Sequence, residues 1–122
     1  MSSSSITHDL IEIAYKRFIE ELPQLEKLKI VGRLELRGRG DIQVFRVAAP
    51  GPEIDKGEPE DARIEISVPR ADFNDLADAG LEHWHTAYDH GIVRIGGDPA
   101  VIRLLGGVIQ KHEARTKLKK VR

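Results

Sequence analysis

Cysteine is absent from all 122 residues, which excludes disulfides, thiolate metal sites and cysteine nucleophiles and suits a reducing compartment. No stretch approaches the roughly 18 consecutive apolar residues of a membrane-spanning helix. The opening "MSSSSITHDL" lacks the basic and apolar regions of a secretory signal. These two absences lead to the expectation of a cytoplasmic protein. An excess of either charge is also missing: 19 Lys and Arg stand against 20 Asp and Glu, a formal net charge of −1. That balance argues against dedicated nucleic-acid or anionic-membrane binding by the chain as a whole. Catalytic signatures are absent too, with no nucleophile elbow, no HExxH and no carboxylate pair in an apolar setting. No catalytic residue and no cofactor is therefore assigned, and the chain reads as a non-enzyme.

What is present is enough chain for one domain with a real core, 40% hydrophobic and 32% charged. Residues 1–6 read as a disordered lead, 7–112 as the domain and 113–122 as a basic C-terminal tail. Leu10, Ile11, Ala14, Tyr15, Phe18, Ile19 and Leu22 recur at helical spacing, with Thr7 as candidate cap and Pro23 as the end. Ile30, Leu34 and Leu36 then alternate with Arg33, Glu35 and Arg37, a strand with one dry face, and Gly38 to Asp41 reads as a hairpin turn. On the return strand Ile42 and Val44 share one face and Phe45 and Val47 the other, a pattern open to a bulge or to a strand covered on both sides. Residues 49–61, "APGPEIDKGEPED", combine three prolines with five acids and read as a mobile loop.

The second half continues the alternation. "ARIEISV" points Ile64, Ile66 and Val68 inward, and Pro69 starts a short helix carrying Phe73, Leu76 and Ala77 that stops at Gly80. A second short helix holds Trp84, Ala87 and Tyr88 and ends near Gly91. Val93 and Ile95 follow on a strand, and residues 101–109 make a helix that is apolar over most of its surface. This order predicts an α+β fold with a mostly antiparallel sheet covered by helices on one face.

Three stretches invite chemical readings. The glycines of "GIVRIGGDPAVIRLL" suggest a phosphate cradle, but Asp98 repels an anion and Pro99 has no N–H to offer. The same residues make a good corner, with Asp98 as N-cap and Pro99 at the first helical position. "HWHTAYDH" gathers His83, His85, Asp89 and His90, yet His83 and His85 are two residues apart and point to opposite sides of a helix, so no metal site is assigned. The tail "KHEARTKLKKVR" has the base density to touch phosphates or anionic head groups but no aromatic for stacking. Docking on the acidic loop is open to it as well.

From about Gly32 to Ile109 the chain resembles the sterol carrier protein 2 family of small lipid-carrier domains. The features that carry the likeness are the amphipathic first helix, the hairpin "GRLELRGRGDIQVFRV", the strand and short helix "ARIEISVPRADFNDLADAG", and the final strand and helix "GIVRIGGDPAVIRLL". The resemblance implies a five-stranded sheet backed by helices, with an apolar tunnel between them for a fatty acyl chain, sterol or similar lipid. By position and inward phase it makes Phe45, Ile64, Ile66, Phe73, Leu76, Trp84, Tyr88, Val93, Ile95, Ile102, Leu105 and Ile109 candidate tunnel lining. The implied partner is an apolar small molecule, with transient membrane contact through the basic tail and a homodimer both left open. The alternative is an interaction module that keeps the fold, closes the tunnel and binds itself or a protein partner.

Overall fold

The computed structural model describes residues 3–120, with side chains described for residues 6–115. Most of the expected lead (1–6) and much of the basic tail (113–122) therefore lie outside the described side chains. The element order is α1 (Ser3–Glu21), a 3-10 turn (Pro23–Lys27), β1 (Ile30–Arg37), β2 (Ile42–Ala49), β3 (Glu53–Lys56), β4 (Ile64–Pro69), α2 (Arg70–Leu76), α3 (Leu81–Asp89), β5 (Arg94–Gly97) and α4 (Pro99–Lys120). α1 starts before Thr7, which is a buried residue inside the helix and not its cap. Pro23 ends the α-helix as its missing N–H requires, and the chain turns through the 3-10 segment.

The five strands form one sheet in the order β3-β2-β1-β4-β5. Pairing is antiparallel except between β1 and β4, which run parallel, so the sheet is mixed. A parallel neighbour needs a crossover connection: from β1 the chain passes through β2 and β3, and residues 57–63 cross back from the β3 edge to β4. This is where the sequence reading needs correction. The expected mobile loop contains the edge strand β3, with Ile54 opposite Val47 and Glu53 opposite Ala48. Flanking prolines and three charged residues out of four hide such a strand from a periodicity argument, although charge is what protects an exposed sheet edge.

β1 and β2 pair one to one from Ile30↔Ala49 to Arg37↔Ile42. There is thus no bulge. Phe45 and Val47 lie on the same face as Leu34 and Gly32, and Ile42 and Val44 lie on the other face, where Ile42 is 60% exposed. The inner face (Leu34, Leu36, Phe45, Val68) is covered by Ile11 and Ala14 of α1, Phe73 and Leu76 of α2 and Trp84 and Ala87 of α3 in one buried cluster. The outer face is charged: Arg33 reaches Glu35 and Glu58, and Arg46 reaches Glu53, Asp55 and Asp61. Four of the five acids of residues 53–61 therefore serve arginines of the sheet, an arrangement the docking idea for the tail did not foresee.

Candidate functional site

The twelve candidate lining residues separate into two groups. Phe45, Phe73, Leu76, Trp84 and Val93 belong to the buried cluster, Ile66 packs against it, and Ile64 is buried at 6% exposure. Trp84 is the hinge of this group. Its ring lies 5.2 Å from Phe18 and 6.1 Å, edge-on, from Phe73, and its Nε1 donates to the Leu76 carbonyl at 2.9 Å. That bond satisfies the one polar atom the indole takes into the core.

The second group does not join the first. Tyr88 on α3 is 50% exposed and Ile95 on β5 is 42% exposed. Ile95 shares the inner face with Ile66, its register partner, but it sits on an edge strand. Ile102, Leu105 and Ile109 are half-buried and outside the core cluster, and Leu104 is exposed. Inward phase alone did not separate these five from the core.

The element that decides this is α4. Its start is built as the corner reading expects. Gly97 holds φ at 114°, and a Cβ there would come within 2.6 Å of the Arg63 carbonyl oxygen, so the strand approaches β4 only because the residue is glycine. Asp98 caps the helix by accepting from the Ala100 N–H at 2.9 Å, and Arg63 donates to its carboxylate at 2.6 Å. The Arg63 guanidinium, followed by the Ala100 N–H, holds the Asp98 carboxyl below the usual carboxylate range. From there α4 leads away from the β5 corner, and fifteen residues further on Glu113 Oε1 lies 2.8 Å from His85 Nδ1 of α3. Between these two anchors the apolar turns stay partly open, and a Cβ added at Gly106 or Gly107 would meet nothing within 4 Å.

The histidines of "HWHTAYDH" are all exposed. His85 alone is engaged, by Glu113 and more loosely by Asp89 at 3.6 Å. The contact with Glu113 joins residues far apart in sequence, so no spacing rule could find it. Among the described residues three potential metal ligands converge only at His8, Asp9 and Glu12 on α1, a group the sequence reading did not single out. Glu12 there pairs with Lys16 at 3.1 Å, as an ordinary helix-surface acid does. Thus what this geometry offers is apolar surface.

No family model matches the sequence, and no curated protein matches it either. Similarity appears among solved structures. A palmitated SCP2L2 from Aedes aegypti, solved by NMR in solution, superposes with a TM-score of 0.57 at 17% identity, covering 81% of this chain and 93% of its own. The crystal structure of sterol carrier protein 2 like 2 from Aedes aegypti gives 0.55 at 14% identity over 84% and 98%. A ubiquinone synthesis protein, UbiJ-SCP2, gives 0.54 at 14% over 89% and 93%. At such identities the likeness lies in the fold. This chain, with its five-stranded mixed sheet and its helices, has the fold of these sterol carrier protein 2-like structures.

Proposed function

We propose that this chain binds an apolar ligand, a fatty acyl chain, a sterol or a similar lipid, without chemistry of its own, and that the ligand lies against the apolar turns of α4. One observation carries the reading. Ile102, Leu105, Val108 and Ile109 are half-buried but stay out of the core cluster, and space opens beside Gly106 and Gly107. Apolar surface left in this state is disfavoured by water and marks a binding face. Tyr88 and Ile95, both exposed, stand on the two elements to which α4 is tied. The palmitated state of the Aedes aegypti protein with this fold supports an acyl chain as occupant.

Burying an acyl chain is worth roughly 0.8 kcal/mol per methylene, and ordering costs reduce this to micromolar or nanomolar affinity. The test is native and denaturing mass spectrometry of the purified protein with organic extraction, followed by titration with fluorescent fatty acids and sterols. A bound lipid of defined mass is expected, and Leu105→Ser or Ile109→Ser weakens rebinding roughly tenfold or more while the fold survives. Failure to take up any member of the panel, with nothing extracted, removes the reading. The competing reading covers the same face of α4 with a second copy of the chain, and a dimer mass without lipid would favour it.

A further inference from the structure

We propose that the tip of the β1–β2 hairpin is a docking site for a phosphate-bearing bilayer surface, built from Arg37, Arg39 and Arg70 beside the exposed side chain of Ile42. On the outer face of the central strands the arginines are answered by carboxylates, Arg33 by Glu35 and Glu58 and Arg46 by three acids, and beside them Arg63 pairs with Asp98. At the tip one acid, Asp41, stands beside three arginines and pairs with Arg70 alone, accepting from its Nη2 at 2.8 Å. Among the described residues no carboxylate lies within ion-pair distance of Arg37 or Arg39. Glu35, two residues before Arg37, is held by the Ser67 hydroxyl at 2.8 Å and by Arg33. Arg37 and Arg70 each also keep a buried Nε without a hydrogen-bond partner.

The backbone is shaped to bring these groups together. A Cβ at Gly38 would lie 2.5 Å from Asp41 Oδ1 and 3.0 Å from the guanidinium carbon of Arg70, so bare glycine lets the first residue of α2 reach over the hairpin. Arg37, Gly38, Gly40, Asp41 and Ile42 line an open depression. Ile42 is the register partner of Arg37 and is 60% exposed. Guanidinium groups match phosphate oxygens in forked pairs, and basic residues near an anionic leaflet are each attracted to it. A dissolved anion would use the arginines and leave Ile42 in water. A bilayer interface takes both, because the apolar side chain enters the acyl boundary while the arginines stay with the head groups.

This site is separate from α4 and stands whether or not the chain carries lipid. Its test is sedimentation of the full chain with phosphatidylcholine vesicles, with and without phosphatidylserine, alongside thermal unfolding of each variant. The protein is expected to sediment with the anionic vesicles only and to come off at about 0.5 M salt. Arg37→Gln and Arg39→Gln each weaken binding about fivefold, and Ile42→Ser weakens it without altering the salt dependence. If Arg37→Gln disturbs the fold, Arg39→Gln at its exposed position carries the test alone. A variant with Lys117, Lys119 and Lys120 changed to Gln is the comparison. The proposal is overturned if that variant alone loses binding, if the parent ignores anionic vesicles, or if millimolar inorganic phosphate releases it from them, which would make the arginines a site for a soluble anion.

Discussion

Trp84 concentrates more of the fold than any other single side chain described above. It touches Phe18 of α1 and Phe73 of α2 and ties the end of α2 to α3 through the Leu76 carbonyl. Trp84→Ala should cost about 3–5 kcal/mol, the range for deleting a large buried aromatic. Trp84→Phe keeps most of the packing and loses one hydrogen bond to a carbonyl that still accepts from the Ala79 N–H, at about 0.5–1.5 kcal/mol. Denaturant unfolding of the two variants checks both size and order, and a Trp84→Phe protein as stable as the parent would show that the hydrogen bond contributes nothing. At the same scale Gly97 and Asp98 show how a pair of adjacent residues sets a corner: one permits the backbone approach to β4, the other satisfies the first free N–H groups of α4.

Among the elements, α4 departs most from what stability alone would select. Two adjacent glycines in a helix each cost about 1 kcal/mol relative to alanine, and here they face open space with no backbone crossing to require them. Gly106→Ala and Gly107→Ala should therefore raise the unfolding free energy by up to about 1 kcal/mol each. A larger substitution, Gly106→Leu, should occupy the space beside the helix and lower lipid uptake without lowering the melting temperature. Melting curves and fatty-acid titration of the same preparations separate the two effects, and unchanged uptake by Gly106→Leu would move the ligand away from this turn. β3 is the contrasting element. It is four residues long and largely exposed, and it persists because β2 offers a full ladder and Arg46 gathers the acids on either side.

For the whole molecule the outer face of the sheet sets the response to acid. The Ser67 hydroxyl, helped by Arg33, holds Glu35 below the usual carboxylate range, Arg46 does so for Asp61, and Arg63 does so for Asp98. Each of these groups is more acidic folded than unfolded. Their contribution is fully present at neutral pH, where both states are ionised, and it fades as pH falls below the ordinary carboxylate value of about 4, because the unfolded chain then binds protons first. The thermal midpoint is expected to drop between pH 7 and pH 3, and Asp61→Asn with Asp98→Asn to flatten that dependence. A pH profile identical in parent and double variant would show that these pairs are screened out.

The α+β class, both short helices, the hairpin and the Gly-Gly-Asp-Pro corner follow from local causes: period-two and helical spacing, a proline that stops a helix, a cap residue in register. These act over a few residues and need no knowledge of the rest of the chain. The sequence by itself determined as much, together with the inward set of Phe45, Phe73, Leu76, Trp84 and Val93. Three things were decided only in three dimensions. β3 exists because β2 was there to pair with it; α4 leaves its apolar turns half-open because it is tied at the Arg63–Asp98 corner and at the His85–Glu113 pair and those turns stay out of the core cluster; and Arg70 meets Asp41 only because the parallel β1–β4 pairing sets Pro69 beside Arg37. In each case the partner is far away along the chain, and spacing along a chain carries no record of which distant segment closes on it.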